Sequence, residues 1–233
     1  MPNSKTLIIE LKKYPPPTQN GALKMIRLAI IFSLLFVTPA WANGNPDIGG
    51  ETVALMERLF LAFAVGSALL AGFLKARSSS FFLSALPLFA LTLHQVEEYV
   101  LAPALLGPSH HFLNWAFEAG LYVSASSVVW VNSVGIASTL IIFAFRPASK
   151  VFALVFLFVS ATLVANAAFH LGVATLQSNY SPGMVTSLLL YIPLHLKGVS
   201  LVLERAQSFR VAVALTIYGF IAHFVAILLV NFL

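Results

Sequence analysis

The feature that most constrains this chain is a series of long apolar segments. Six of them, each about 20 to 24 residues long, lie near 53–74, 80–103, 126–146, 150–173, 183–203 and 210–232. A helix needs about 20 apolar residues to cross the hydrocarbon core of a bilayer. Backbone groups in lipid must pair within their own segment, and no alternating barrel pattern is present. The sequence therefore predicts an all-α integral membrane protein, a bundle of six transmembrane helices forming a single domain over 43–233.

Composition supports this fold class and excludes several others. Of 233 residues, 59% are hydrophobic and 9% are charged, whereas a soluble domain carries about 25% charged residues. A cytosolic enzyme, a nucleic-acid-binding module and a disordered protein are thereby excluded. The formal net charge is +5, but residues 43–233 hold eight basic and seven acidic side chains, so no basic patch remains for nucleic acid. Because the chain has no cysteine, disulfides and thiolate metal sites are absent.

The N-terminal region has the pattern of a processing signal. In residues 25–42, a basic residue precedes an apolar run that ends in Ala40-Trp41-Ala42. This is the layout of a secretory signal peptide, cleaved after Ala42. Residues 1–24 are polar, and we interpret them as a start-site extension upstream of a true start at Met25. The alternative is that 25–42 is retained as an extra N-terminal helix.

The distribution of basic residues predicts the orientation of the bundle. Lysine and arginine cluster near 75–77, 146–150 and 205–210, and they are scarce in the loops on the opposite side. Since cytoplasmic loops carry the excess of Lys and Arg, these three regions are predicted to be cytoplasmic. The expectation is a multi-pass protein of the bacterial inner (plasma) membrane with both termini, Asn43 and Leu233, in the periplasm.

The second apolar segment contains polar side chains that a lipid-crossing helix normally avoids. It carries His94, Glu97 and Glu98, although a charged side chain at a helix centre costs about 2.5–3.5 kcal/mol on insertion scales. Positions related by i,i+3 and i,i+4 share one helix face. An imidazole and two carboxylates on one face can bind a divalent metal such as zinc or iron, or can transfer protons. The alternative is that the two glutamates mark the membrane exit of the helix.

Other segments place polar residues at a similar depth. Asn166 and His170 are spaced i,i+4 in the fourth segment, Asn132 lies in the outer half of the third, and Tyr180 precedes the fifth. With the predicted orientation, all of them lie towards the periplasmic face. The sequence therefore predicts a shared pocket that faces outwards.

Within this pocket the residue types indicate separate roles. Histidine and carboxylate are the ligands that zinc and iron accept, so the predicted metal ligands are His94, Glu98 and His170. A carboxylate can also act as general base, and amide or phenol groups can orient a substrate or stabilise an oxyanion. The predicted catalytic residues are Glu97, Glu98, Asn166 and Tyr180.

The remaining histidines have less specific surroundings. His195 and His223 lie near the middle of the fifth and sixth segments. Each is predicted either to bond a neighbouring helix or to form the floor of the pocket. His110 and His111 lie in the loop after the second segment, and we expect them to be solvated.

Three motifs in order resemble those of the HxxEE-domain bacterial membrane proteins. They are His94-x-x-Glu97-Glu98, Asn166-x3-His170 and Tyr180-Ser181-Pro182-Gly183, the last ahead of Thr186-Ser187. The similarity covers most of 55–205. That family is defined by sequence and has no established activity, so the resemblance implies a site within the membrane and no particular reaction.

Three functions remain open on the sequence. The first is a metal-dependent intramembrane enzyme, a hydrolase or transferase, that acts on a lipid or apolar substrate from the outer leaflet. The second is a small proton-coupled transporter, although no inverted repeat is visible. The third is a structural or assembly subunit without catalysis. The expected partners are the lipid bilayer and an apolar or lipid substrate, with no nucleic acid.

Overall fold

The computed structural model describes residues 50–121 and 123–232, which are helical without strands. The helices in chain order are α1 (Glu51–Ala76), α2 (Phe82–Val96), α3 (Ala102–Leu106), α4 (Phe112–Glu118), α5 (Ala125–Ile141), α6 (Lys150–Gln177), α7 (Met184–Thr186), α8 (Ile192–Ala206) and α9 (Phe209–Phe232). Two π-helical turns, Glu97–Leu101 and Ser187–Tyr191, join α2 to α3 and α7 to α8. The predicted extension over 1–24 and signal peptide over 25–42 lie outside the described residues.

Five helical stretches in this part of the chain are long and apolar enough to cross a membrane. They are Glu51–Ala76, Ala125–Ala144, Lys150–Gln177, Met184–Ala206 and Phe209–Leu229. They correspond to the first, third, fourth, fifth and sixth predicted segments, and they fit a multi-pass membrane protein. The second predicted segment, 80–103, is helical but is not among the five, because its polar side chains lower its hydropathy. Six spans therefore remain a prediction.

This less apolar stretch is enclosed by the other helices. Helix α2 packs along α1 and also contacts α5 and α6. Ten of its fifteen residues are buried, and so are Glu97, Glu98 and Tyr99 in the π-helical turn that follows. Polar groups at membrane depth are tolerated where protein rather than lipid surrounds them. The packing of α2 thus provides the environment that its histidine and glutamates require.

Helix α6 is the other central element and packs against α8 and α9. Its N-terminal half is built from large apolar side chains, among which Phe152, Phe156 and Leu157 are fully buried. Gly198 of α8 lies so close that a Cβ there would be 3.0 Å from the Leu157 Cα. Small residues permit such backbone approach between membrane helices. This packing fixes the position of the C-terminal half of α6, which carries His170.

The short helix α4 covers the end of the bundle at which the α2 helix reaches Glu97 and Glu98. Its residues Phe112, Leu113 and Trp115 are buried in a cluster with apolar side chains of α1 and with Tyr99. The chain reaches α4 through a sharp turn at Gly107, where φ is +104°. Together, α4 and the cluster beneath it shield the second helix where its glutamates lie.

Candidate metal centre and adjoining cavity

Three side chains from two helical stretches converge beneath α4, at the C-terminal ends of α2 and α6. The Nε2 atom of His94 lies 3.3 Å from Glu98 Oε1, and the Nε2 atom of His170 lies 3.2 Å from the same oxygen. His94, Glu98 and His170 are only 1%, 4% and 0% exposed. One ligand atom from each lies within 4.8 Å of the others, so the cluster could hold a metal ion. The structure thus brings together the three residues predicted as metal ligands.

The second nitrogen of each imidazole is held by the loop between α6 and α7. The Nδ1 atom of His94 lies 3.0 Å from the Gly183 carbonyl oxygen, and that of His170 lies 2.9 Å from Ser181 Oγ. A carbonyl oxygen only accepts, so Nδ1 of His94 donates and Nε2 of the neutral ring carries a lone pair. Metal-binding histidines are oriented in this way by a partner on the second nitrogen.

Neither Nε2 atom has a well-directed hydrogen bond, although both face Glu98 at short distance. A bare nitrogen lone pair beside a carboxylate oxygen is repulsive, and an unsatisfied buried polar atom costs about 1–3 kcal/mol. A cation between the three atoms removes both penalties. Two imidazoles and one carboxylate are a donor set that zinc and iron accept, and three protein ligands leave a position open. The residues present therefore fit such a metal.

The other glutamate of the motif contacts a different part of the chain. Glu97 accepts hydrogen bonds from the Thr186 N–H at 2.6 Å, the Val185 N–H at 3.0 Å and the Tyr180 hydroxyl at 2.5 Å. The two amides open the helical stretch Met184–Ala206, where N–H groups lack intrahelical partners and a carboxylate is favoured by the helix dipole. Glu97 therefore anchors the start of this helix to the second one.

Tyr180 lies outside the metal-ligand cluster. Burial and the hydrogen bond to Glu97 raise the pKa of its hydroxyl well above the ordinary value. The hydroxyl is therefore protonated at neutral pH and acts as a donor to the carboxylate. These contacts place Tyr180 and Glu97 as positioning groups, and the catalytic roles predicted for them stay predictions.

Gly183 approaches the cluster more closely than any side chain would allow. A Cβ at this position would lie 2.5 Å from His94 Cε1 and 2.8 Å from Glu98 Cγ, and the residue has a φ of +89°. Only glycine adopts such a conformation without strain while the backbone packs against a neighbouring group. The glycine allows the Gly183 carbonyl to reach His94.

Both π-helical turns lie at this site. One contains Glu97 and Glu98, and the other, Ser187–Tyr191, supplies a Ser187 hydroxyl 3.2 Å from His94 Nδ1. Tyr191, which is fully buried, packs its ring 5.1 Å from the His94 ring. Single π-helical turns are rare and often occur at functional sites.

A cavity of about 270 Å³ adjoins the cluster on the side of Glu98. Asn132, Asn166 and His223 line it, together with Gln95 of the second helix. Asn166, which was predicted to be catalytic, is one of the residues that line this cavity. His223 occupies a lining position, whereas His195 lies 3.4 Å from Thr216 Oγ1. Gln95 was not singled out in the sequence, although it lies within the motif beside His94.

The expectation that His111 is solvated is wrong. Its side chain is buried, with 3% exposed, and its Nε2 atom lies 3.1 Å from Glu57 Oε1 of α1. Its ring also packs edge-on against Tyr99 at 5.3 Å. Burial lowers the pKa of His111. The adjacent His110 remains partly exposed beside Tyr180. The sequence shows two consecutive loop histidines, and nothing local distinguishes the buried one.

Comparison with known families finds the HxxEE motif of the second helix. Residues 85–197 match a family model described as a protein of unknown function with HXXEE motif. The matched range contains the three metal-ligand candidates, Asn166 and the loop that carries Gly183. No curated protein and no solved structure matches the chain.

Proposed function

From the premise that residues 85–197 belong to the HXXEE motif family, we propose that this protein is a metal-dependent membrane enzyme. The proposed reaction is hydrolysis or group transfer on a lipid or apolar substrate. One observation carries the proposal. The unsatisfied Nε2 atoms of His94 and His170 and a carboxylate oxygen of Glu98 converge in a buried cluster beside a cavity.

The residues of the chain provide the other elements that such an enzyme needs. A bound zinc or iron ion would polarise a substrate carbonyl and lower the pKa of a water towards about 7. The Gly183 carbonyl holds His94 in the tautomer that ligation requires, and the Ser181 hydroxyl orients the His170 ring through its Nδ1 atom. Glu98 also lines the cavity, so it is placed to accept a proton from a group bound there. Asn166 lines the same space, and its amide is the group that we propose orients a substrate.

The proposal is tested by the metal content of the full-length protein purified from membranes. The parent protein should contain about one zinc or iron ion per chain, and His170→Gln should lose it while still inserting. His195→Gln is the matched control, because His195 contacts Thr216 of α9 and not the cluster. Its metal content should equal that of the parent.

The sign of a stability change gives a second, independent test. With a metal bound, Glu98→Gln should lower the thermal stability, because a charged ligand is lost, and a chelator should lower that of the parent. Without a metal, the same substitution should be neutral or stabilising, because it removes the cost of burying a charge. The enzyme proposal would be refuted if the parent protein contained no metal, if a chelator left its thermal stability unchanged, and if Glu98→Gln raised that stability.

One observation favours a second candidate, proton-coupled transport. A proton shared between Glu98 and either Nε2 atom would relieve the same repulsion as a metal ion. The transport proposal requires solute uptake into vesicles that depends on a proton gradient and is abolished by Glu98→Gln. Uptake that is absent, or unaffected by the gradient, would contradict it.

A further inference from the structure

We propose that the cavity beside Glu98 binds the hydrocarbon chain of the substrate, with the oxygen-bearing head of the same molecule at the metal ligands. This inference rests on the proposed function and names the substrate class of the same site. The class is an amphiphile with a metal-binding oxygen group, such as an ester or amide carbonyl, at one end of a single hydrocarbon chain.

The cavity lies directly against the candidate metal ligands. Glu98 is one of the residues that line it, and Phe112 and Phe169 are two others. The centre of the Phe169 ring lies 5.3 Å from that of the His170 ring, and the centre of the Phe112 ring lies 6.1 Å from it. Two walls of the cavity therefore pack against one ligand candidate, and Glu98 itself forms part of a third. A molecule that fills the cavity thus reaches Glu98 and the neighbourhood of His170.

Most of the surface that faces the cavity is apolar. It comes from helices α5, α6 and α9, from α4 and from the loop that follows α4. The aliphatic and aromatic side chains among the lining residues include Phe112, Leu121, Val123, Val131, Phe169 and Ile227. Such walls offer dispersion contacts to a hydrocarbon group and no hydrogen bonds.

The amide side chains that line the cavity do not make it a water site. The Gln95 Oε1 and Asn166 Oδ1 atoms are buried within the protein, so a molecule in the cavity does not reach them. The Asn132 Nδ2 atom donates to the Val128 carbonyl of its own helix at 3.0 Å. A buried water needs about two to four polar partners. This space therefore suits a hydrocarbon group better than a cluster of waters.

The volume of the cavity sets the length of the chain. It measures about 270 Å³. A water-sized group occupies about 30 Å³ in a liquid, so the cavity takes about nine groups of that size. If the cavity were empty, its walls would lack those dispersion contacts. A chain of about nine methyl and methylene groups would supply them, and a longer chain would extend beyond the cavity.

Photo-labelling in a bilayer tests the chain site. The probe is octanohydroxamic acid with a diazirine near the end of its chain, applied to the full-length protein reconstituted in neutral lipid. Mass spectrometry should find labels on cavity-lining residues of α5, α6 and α9, and excess unlabelled octanohydroxamic acid should remove them. Labels that fall on lipid-facing residues alone, and that the excess does not remove, would overturn the inference.

A pair of matched variants shows whether the probe occupies the cavity itself. Val131→Phe enlarges a side chain in the cavity wall and should weaken binding of the probe about tenfold. Val134→Phe makes the same change on the same helix, at a position that is 49% exposed, and should leave binding unchanged. If Val131→Phe fails to fold, Ile227→Phe narrows the cavity from α9, with the exposed Leu228→Phe as its control. Binding that is equal in the parent and the cavity variant would overturn the inference.

A competitor without a metal-binding head tests where the head lies. 1-Octanol has a chain of the same length as octanohydroxamic acid. In a metal-containing parent, the hydroxamic acid should compete with the probe about tenfold better than 1-octanol does, and a chelator should remove this advantage. Equal competition by the two molecules in a metal-containing parent would overturn the inference and leave the proposed function standing.

Measuring metal content in the same samples keeps the two proposals apart. A metal-free parent would refute the proposed function. In that protein, labelling of the cavity that Val131→Phe weakens and Val134→Phe does not would still support the chain site. A metal-free parent without labels in the cavity would refute both proposals.

Discussion

Replacing Gly183 by alanine perturbs the candidate metal centre without changing any of its ligands. The added Cβ would lie 2.5 Å from His94 Cε1 and 2.8 Å from Glu98 Cγ, both well inside van der Waals contact. The methyl group would therefore displace His94 and Glu98 or push the loop away from them. In either case the hydrogen bond from His94 Nδ1 to the Gly183 carbonyl is lost or lengthened.

The size of the effect follows from two contributions. An L-residue in a left-handed conformation costs about 1–2 kcal/mol, and the φ of Gly183 is +89°. Forcing an extra methyl group into a packed interior costs about 1–3 kcal/mol more. Gly183→Ala should therefore lower the free energy of unfolding by about 2–5 kcal/mol.

Gly120 provides the matched control. Its φ of +74° is close to that of Gly183, but nothing lies within 4 Å of a Cβ built there. Gly120→Ala should show the backbone strain alone, about 1–2 kcal/mol, and should retain the metal. Denaturant unfolding in mixed micelles measures both variants, and elemental analysis measures their metal content. If Gly183→Ala is no less stable than Gly120→Ala and binds metal fully, the close approach of this loop to His94 and Glu98 is refuted.

Four further predictions concern the surroundings of the site, the mature N-terminus and the topology. Tyr180→Phe removes a hydrogen bond to the Glu97 carboxylate and should lower the free energy of unfolding in denaturant by about 1.5–3 kcal/mol. The control Tyr218→Phe, on the exposed face of α9, should change that free energy little. Burial lowers the pKa of His111, so the contribution of His111 to stability is complete above pH about 6.5 and falls on acidification. His111→Gln should therefore reduce the loss of thermal stability below that pH. A variant whose thermal stability depends on pH as that of the parent does would contradict this prediction. N-terminal sequencing should show that the mature protein begins at Asn43. Reporter fusions after residue 148 should be cytoplasmic, and those after residue 178 should be periplasmic. The reverse pattern would place the site at the cytoplasmic face of the membrane.

Much of the fold could be predicted because lipid restricts the backbone strongly. The predicted segment 150–173 corresponds to α6, Lys150–Gln177, and 210–232 corresponds to α9, Phe209–Phe232. In both cases a long apolar run defines the helix, since backbone groups surrounded by hydrocarbon must pair within their own segment. The second segment is different, because its polar residues are compatible with membrane depth only when other helices enclose them. That enclosure depends on packing and not on the segment itself.

Spacing within one helix could predict only part of the site. His94 and Glu98 are one turn apart, so the helical period places them side by side. The same argument assigned Glu97 to the cluster, but consecutive residues point about 100° apart on a helix. In the structure Glu97 instead meets the amides that open the stretch Met184–Ala206. The sequence had named Glu98 as the ligand, and the position of that neighbouring helix supplies the physical reason why Glu97 does not join the cluster.

The sequence by itself therefore determined which segments are apolar enough to lie in lipid, where the long helices lie, and which pairs of residues share a helical turn. These are local properties, set by hydropathy and by a period of 3.6 residues. Tertiary structure alone decided that His170 of α6 meets His94 and Glu98 of the second helix, that Gly183 packs against them, and that His111 is buried against Glu57. These contacts join residues far apart in the chain. They depend on which helix faces pack together and on where a loop folds back, and no local pattern encodes either.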